Sequence, residues 1–202
     1  MQYKWLNKQD NKKLIVFFNG WGMEEKAVEH LIFKDYDVLT FCDYRNFEID
    51  DFDFTKYEQK YLIAWSMGVY VCNYFYEIFK NFDKYIAING TQKPIDDEFG
   101  IPKAIYDLTI ENFNELSCAK FLKKISTKLE PCSRKTEELK EELITIKYLK
   151  VKDFFNFNRA IISNKDRIIP SQNQKKFWKT YEEIDAPHYI FDLYKSWDEL
   201  LW

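Results

Sequence analysis

Short apolar runs rich in aromatic and β-branched residues recur along this chain, and polar stretches or segments with helical spacing separate them. Such runs predict buried strands. The predicted strands cover residues 2–6, 14–18, 37–41, 61–65, 84–89, 160–163 and 181–184. Predicted helices cover residues 24–33, 69–80 and 191–202. Strands that alternate with helices are typical of an α/β fold, with a mostly parallel central sheet flanked by helices.

One long segment, residues 95–153, interrupts this alternation, and we call it the insertion. It contains two helix-like stretches, residues 111–125 and 134–146, and apolar residues recur at helical spacing in the first. Segments at strand ends are where α/β folds build their sites. We therefore predict that the insertion is a small helical cap over an active site. The alternative is that its helices only cover one side of the sheet.

The length of 202 residues fits one domain with a substantial core, so we expect a single domain over residues 1–202. The net charge of −3 gives no reason to expect a nucleic-acid partner. The apolar runs are far shorter than a membrane span, and residues 1–13 are too polar for a secretory signal. These features predict a cytoplasmic protein that does not enter a membrane, and we expect a monomer.

The cysteines are few and scattered, without a C-x-x-C pair, and the chain has only two histidines to join them. Free thiols are therefore favoured over disulfides or a zinc site. We expect neither a metal nor a cofactor.

The five residues Ala64-Trp65-Ser66-Met67-Gly68 follow a predicted strand and precede a predicted helix. A strand, a tight turn with a central serine and a helix are the context of a nucleophile elbow. The turn exposes the serine hydroxyl, and the helix N-terminus lies beneath it. The first position of the usual Gly-x-Ser-x-Gly is alanine here, which is still small enough for close packing of strand and helix. We predict that Ser66 is a nucleophile.

An activated serine needs a base within hydrogen-bond reach, and the base needs an acid that orients it. His188 lies in a loop between the last predicted strand and the last predicted helix. This is the place of the base in a hydrolase whose triad follows the order Ser, Asp or Glu, His. His30 falls in the first predicted helix and is expected to be an ordinary helix residue. The alternative for His188 is a purely structural role in its loop.

The acid of such a triad should follow a strand between the elbow and the histidine loop. Asp166 comes just after the predicted strand 160–163, and Pro170 then begins another helix. By itself an aspartate in this place could be a turn residue. The chain order favours Asp166 as the acid. Asp153 precedes the strand, and Asp185 is only three residues from His188, so both fit less well.

An oxyanion hole needs two N–H donors. The Met67 N–H, directly after the predicted nucleophile, is one candidate. The loop Asn19-Gly20-Trp21-Gly22 follows an early strand, and its glycines let the backbone turn inward, so the Trp21 N–H is the second candidate. The alternative is that these glycines only permit a tight connection.

Four short motifs carry a resemblance to a known family. They are Phe17-Phe18-Asn19-Gly20-Trp21-Gly22-Met23, Asp43-Tyr44-Arg45, Ala64-Trp65-Ser66-Met67-Gly68-Val69 and Ala87-Ile88-Asn89-Gly90-Thr91. Together they resemble the BioG family over nearly the whole chain. Trp-Ser-Met-Gly and Gly-Trp-Gly also occur in other esterases of the α/β-hydrolase fold, such as the BioH type. The asparagine before Gly20, the Asp-Tyr-Arg and the Asn-Gly-Thr favour BioG.

The resemblance implies an α/β-hydrolase fold and a pimeloyl-[acyl-carrier-protein] methyl ester esterase of biotin synthesis. Such an enzyme removes the methyl group from the carrier-bound ester without a cofactor. The family triad would correspond to Ser66, Asp166 and His188, the same residues that the chain order predicts. The partner would be an acyl-carrier protein that carries the pimeloyl methyl ester.

A basic patch in the insertion could meet that acidic partner. Between residues 119 and 135 there is one acid, Glu130, against six basic residues: Lys120, Lys123, Lys124, Lys128, Arg134 and Lys135. A local positive patch on a chain of negative net charge can steer an acidic protein towards it. The alternative is a solvated helix face without a partner.

Three other interpretations stay open. The elbow and triad would serve equally in a carboxylesterase or thioesterase acting on another small acyl ester, since the pocket decides the substrate. A hydrolase-like binding protein could keep the triad and turn over negligibly. Ser66 could also be an incidental helix cap, because serine is favoured there. That last interpretation leaves Asp166 and His188 unexplained.

Overall fold

A seven-stranded sheet forms the centre of the protein in this computed structural model, which describes residues 1–126, 129 and 132–202. The spatial order of the strands is β1-β3-β2-β4-β5-β6-β7, and the pairings are parallel except that of β1 with β3. The strands are β1 (Gln2–Asn7), β2 (Lys13–Phe18), β3 (Tyr36–Cys42), β4 (Gln59–Trp65), β5 (Lys84–Ile88), β6 (Arg159–Ser163) and β7 (Glu182–Ile184). Each coincides with a predicted strand to within a few residues, so the predicted α/β sheet is confirmed.

Both faces of the sheet are covered. Successive residues of β2 point to opposite faces, so that Val16 packs in one apolar cluster and Phe17 in the other. Parallel strands buried on both faces read as continuous apolar runs rather than as an alternating pattern. This is why β2, β4 and β5 could be predicted from apolar runs in the sequence.

The helical segment after β4 is broken into short turns. It comprises α1 (Gly68–Val71), a 3₁₀ turn (Cys72–Phe75) and α2 (Tyr76–Phe79). Together these segments cover most of the predicted helix 69–80. α6 (Ser171–Phe177) begins directly after Pro170, as predicted.

Two predicted helices are wrong in large part. Residues 24–33 form only one 3₁₀ turn, Glu25–Ala27, because the chain then pairs Ile32 with Ser196 and enters a turn at Lys34, whose φ is +49°. A ten-residue helix is marginal on its own, so these tertiary contacts prevail. The final segment likewise splits into a 3₁₀ turn and α7 (Trp197–Leu201), and it leaves Leu193 61% exposed.

The insertion between β5 and β6 contains three helices in its described part: α3 (Lys103–Glu111), α4 (Glu115–Ile125) and α5 (Thr136–Tyr148). The predicted stretches correspond to α4 and α5, whereas α3 was missed. α4 begins at a capping box in which Asn114 and Ser117 exchange side-chain-to-backbone hydrogen bonds. Among the residues described, no helix combines the length and the apolar character that a membrane crossing requires.

Two glycines allow β4 and the following turn to pack against neighbouring backbone. A Cβ atom on Gly68 would lie 2.5 Å from the Phe18 carbonyl oxygen, and one on Gly90 would lie 2.4 Å from the Ser66 carbonyl oxygen. Real Cβ atoms do not come so close to backbone oxygen, so a side chain at either position forces the backbone apart. The glycines therefore set how closely Ser66 approaches β2 and β5.

We expect Gly68→Ala to destabilise the protein by about 1–3 kcal/mol, because the added methyl group meets backbone that cannot rotate away. Urea denaturation measures the free energy of unfolding. Lys176→Ala is the control, since Lys176 is exposed on α6 and its loss should change stability by less than about 0.5 kcal/mol. Equal stability of both variants would contradict the close packing described for Gly68.

Candidate active site

Ser66 lies at the end of β4 in a sharp turn. Its φ is +55°, in the left-handed region that non-glycine residues rarely adopt. The Ser66 N–H donates to the Ile88 carbonyl oxygen at 2.9 Å, which ties the turn to the adjacent strand β5. α1 begins two residues later, at Gly68. This is the strained strand-to-helix turn that the sequence pattern predicted.

The structure brings together the three side chains that the chain order singled out. His188 Nε2 lies 2.8 Å from Ser66 Oγ, and His188 Nδ1 lies 2.8 Å from Asp166 Oδ2. All three residues are buried. This is the hydrogen-bonded chain that a serine nucleophile, its base and the orienting acid require.

The Asp166 carboxylate is held from several sides. Its Oδ1 accepts the N–H groups of Ile168 at 2.8 Å and Ile169 at 3.1 Å. Its Oδ2 accepts the side-chain amide of the fully buried Gln174 at 2.8 Å. These donors fix the carboxylate in one orientation towards His188. Gln174 was missed in the sequence, where an amide inside a predicted helix carries no recognisable signal.

The residues that were considered as alternatives for the acid and the base lie elsewhere. Asp185 forms an exposed ion pair with Lys165 at 2.7 Å, and Asp153 is exposed. His30 is exposed as well, and its Nε2 lies 3.0 Å from the Phe191 carbonyl oxygen.

The main chain of His188 is also anchored. Its carbonyl oxygen accepts the Trp65 indole N–H at 3.1 Å and the Asn89 side-chain amide at 2.8 Å. Asn89 has a φ of +46°, and its Oδ1 accepts the Ser163 N–H at 2.6 Å. Asn89 thus connects the ends of β5 and β6 with the histidine loop. Its place in the motif Asn-Gly-Thr was the only sequence signal of this role.

The loop of residues 19–22 lies against Ser66. A Cβ atom on Gly20 would be 3.2 Å from Ser66 Cβ, so the loop and the elbow are in contact. Within the described part of the chain, the backbone N–H groups of Trp21 and Met67 have no hydrogen-bond acceptor. Both residues line the cavity beside Ser66. Two unused donors next to a serine hydroxyl are what an oxyanion hole requires.

A cavity of about 280 Å³ opens beside Ser66 and His188. One side is formed by the sheet loops and the other by helices of the insertion. The apolar part of the insertion wall consists of Ile101, Ile105, Tyr106, Phe113, Phe121, Ile125 and Leu143. This supports the interpretation of the insertion as a cap, and the division into one domain with a cap stays a prediction.

The residues of the predicted basic patch differ in their surroundings. Lys120 and Lys124 line the mouth of the cavity, whereas Lys123 and Lys135 are exposed outside it. Lys128 lies outside the described residues. The inclusion of Arg134 was wrong, because its side chain is only 5% exposed and points inward to carboxylates.

The charges around Arg134 form a buried cluster. Its Nη1 lies 3.0 Å from Glu142 Oε2 and 3.2 Å from Asp43 Oδ1, and Asp43 also forms a two-bond pair with Arg45. Burial alone would raise the pKa of Asp43, but Arg45 and Arg134 outweigh it and hold that pKa below its ordinary value. Asp43 therefore stays ionised in the folded protein.

The two buried cysteines, Cys42 and Cys72, do not offer a competing nucleophile. Burial raises the pKa of Cys42 to about 12 and that of Cys72 well above the ordinary value of a thiol. Both are therefore neutral thiols, and the reactive form of cysteine is the thiolate. In the described ranges, no three His, Cys, Asp or Glu side chains are grouped as a metal site would need.

Comparisons with known proteins bear on this site. The chain is 36% identical to the malonyl-[acyl-carrier protein] O-methyltransferase of Bacteroides fragilis, in an alignment that covers 88% of this chain and 40% of that protein. This chain therefore spans less than half of that relative's length.

Two solved structures establish the fold. The structure of BioG from Haemophilus influenzae superimposes with a TM-score of 0.88 at 32% identity, covering 99% of each chain. An esterase from Exiguobacterium antarcticum gives a TM-score of 0.63 at 16% identity, covering 94% of this chain and 88% of that one. The predicted α/β-hydrolase fold is confirmed by both.

The family model described as pimeloyl-ACP methyl esterase BioG matches residues 1–200. Agreement in sequence over this length, together with a fold shared from end to end, shows that the chain belongs to the BioG family of pimeloyl-ACP methyl esterases.

Proposed function

We propose that this protein is a serine esterase that hydrolyses the methyl ester of a pimeloyl chain on an acyl-carrier protein. The observation that carries the proposal is the chain of two 2.8 Å hydrogen bonds from Ser66 through His188 to Asp166 at the wall of a cavity. Membership of the BioG family supports the substrate. The name of the Bacteroides relative describes methyl transfer on an acyl-carrier protein, which supports a carrier-bound substrate.

In the first half of the reaction Ser66 attacks the ester carbonyl while His188 Nε2 takes the hydroxyl proton. Asp166 holds the imidazole in the tautomer that presents Nε2 to the serine, and it stabilises the cation that forms. The tetrahedral intermediate then collapses. Methanol leaves with the proton from His188, and the acyl group stays on Ser66 as an ester.

The N–H groups of Trp21 and Met67 would stabilise the negative oxygen of the tetrahedral intermediate. Donors of this kind are worth about 3 kcal/mol each in comparable sites. Both are fixed by the fold before substrate arrives, so they need no reorganisation during the reaction.

In the second half a water molecule repeats the sequence on the acyl-enzyme. His188 removes a proton from water, the hydroxide attacks the acyl carbonyl, and the proton returns to Ser66 as the carboxylate leaves. The reaction needs neither a metal nor a cofactor. The apolar cap wall suits the hydrocarbon part of the acyl chain, while the carrier protein stays outside. A cytoplasmic, monomeric enzyme is part of this proposal.

A direct assay tests the proposed substrate. The purified protein is given pimeloyl-carrier-protein methyl ester in one reaction and a free short-chain ester in another. Preferred hydrolysis of the carrier-bound ester supports the proposal. Turnover of the free ester alone would indicate another esterase, and turnover of neither would indicate a binding protein.

Ser66→Ala is expected to abolish ester hydrolysis while the protein stays folded, because the hydroxyl forms the acyl-enzyme and is not needed for packing. His188→Ala should be equally inactive. His30→Ala is the matched control and should keep nearly full activity, since His30 is exposed. Turnover on the carrier-bound ester and labelling by a fluorophosphonate probe are measured. A Ser66→Ala protein that keeps wild-type turnover would rule out this nucleophile.

Asp166→Asn should lower kcat by about 10⁴-fold, because an amide no longer holds His188 in the required tautomer; the corresponding change in trypsin has this effect. Asp185→Asn and Asp153→Asn are controls that remove exposed carboxylates. Steady-state kinetics on a short-chain ester compares the three. If either control loses activity to the same extent as Asp166→Asn, the assignment of the acid is wrong.

Lys123→Glu is expected to lower kcat/KM for the carrier-bound ester by about three- to tenfold at low salt, because association with an acidic partner slows. The loss should shrink as salt rises. Lys176→Glu makes the same charge change at an exposed position of α6, outside the basic patch, and serves as the control. Equal losses in the two variants, or an equal loss on a free short-chain ester, would mean that Lys123 does not dock the carrier.

A further inference from the structure

The loop that carries the second proposed oxyanion donor is held from the insertion as well as from the sheet. The Trp21 indole N–H donates to the Leu139 carbonyl oxygen at 2.9 Å, and the Gly22 N–H donates to Glu142 Oε2 at 3.3 Å. Leu139 and Glu142 both lie on α5. The insertion therefore fixes Trp21 twice, through its own side chain and through the next peptide group.

Glu142 is a fully buried carboxylate with an unusual set of partners. Besides Gly22, it accepts the Tyr44 N–H on Oε1 at 2.9 Å and the Arg134 guanidinium on Oε2 at 3.0 Å. Burial raises its pKa, and the charge of Arg134 opposes that rise. The carboxylate thus joins three segments of chain that no strand ladder connects at this point: residues 19–22, residues 43–45 and Arg134.

Packing alone does not explain why a charged side chain occupies position 142. A buried ion pair is often no more stable than apolar side chains of similar volume. An apolar residue at position 142, however, would leave the N–H groups of Gly22 and Tyr44 without an acceptor. Each buried donor left unpaired is costly, and the loop would move to find another partner.

We propose that Glu142, held in place by Arg134, is a positioning residue for ester hydrolysis. By accepting the Gly22 N–H it fixes the backbone of residues 20–22, so that the Trp21 N–H points at the oxygen of the carbonyl that Ser66 attacks. This inference rests on the proposed serine esterase activity. It gives the insertion a second role besides covering the cavity, because α5 then shapes the oxyanion hole.

Glu142→Gln tests the role, since it keeps the side-chain volume, removes the charge that pairs with Arg134 and leaves a single acceptor oxygen for the N–H groups of Gly22 and Tyr44. On a short-chain ester we expect kcat to fall about tenfold, less than the 10²- to 10³-fold of a deleted donor, because the donor is misaimed rather than lost. KM should change less than twofold. Binding of a trifluoromethyl ketone, which forms a tetrahedral oxyanion on the serine, should weaken by the same factor as kcat.

Asp37→Asn is the matched control. Asp37 is also fully buried, and it accepts hydrogen bonds from the Gln9 N–H and the Tyr57 hydroxyl near the opposite end of the strands. We expect this variant to lower the melting temperature while kcat and ketone affinity stay at the wild-type values. Should Glu142→Gln fail to fold, Glu142→Asp keeps the negative charge but is shorter by one methylene group, which weakens the already long hydrogen bond from the Gly22 N–H. It should show the same fall in kcat at constant KM.

A Glu142 variant that only lowers the melting temperature, as the control does, overturns the proposal. A rise in KM at unchanged kcat also overturns it, because that result indicates a change of cavity shape. The test uses a short-chain ester, so the absence of activity on a carrier-bound ester would refute the proposed substrate without affecting this inference. Activity that survives Ser66→Ala would refute the proposed nucleophile instead.

Discussion

The backbone conformation of Ser66 is the constraint on which the site depends. A left-handed conformation at a non-glycine residue costs about 1–3 kcal/mol and persists only where the surroundings enforce it. Here the enforcement comes from the Ile88 carbonyl oxygen, which accepts the Ser66 N–H, and from Gly68 and Gly90, which let neighbouring backbone come close. The strain turns the hydroxyl out of the sheet and towards His188.

The parallel sheet then determines where the partners of Ser66 lie. The carboxyl ends of β4, β5 and β6 are adjacent, so the residues that follow these strands meet at one edge. Asn89 follows β5, and Asp166 follows β6. Asn89 holds the His188 carbonyl oxygen while Asp166 holds the imidazole, so His188 is fixed through both its main chain and its side chain. The ends of the strands thus position both Asp166 and His188.

Much of this arrangement could be predicted from the sequence, because the strands are apolar runs buried on both faces and the residues of the proposed triad follow a fixed chain order. The residues that were missed act through contacts between distant segments. Gln174 and Asn89 have polar side chains whose partners are known only once the loops are folded. Arg134 was misassigned because a count of charges along the chain does not tell which way a side chain points. The prediction of a helix at residues 24–33 was wrong because the pairing of Ile32 with Ser196 outweighs a weak local preference for helix.

The buried pair of Arg134 and Glu142 also limits how substrate can reach the cavity. If α5 swung away as a hinged lid, Glu142 would leave the N–H groups of Gly22 and Tyr44, and Arg134 would leave Asp43. Such an opening would break several buried hydrogen bonds and an ion pair at once. Entry past the cavity mouth, where Lys120 and Lys124 lie on α4, breaks none of these bonds. A substrate that is threaded in end first, on a long flexible arm, suits this fixed opening better than a bulky ester that needs the cap to lift.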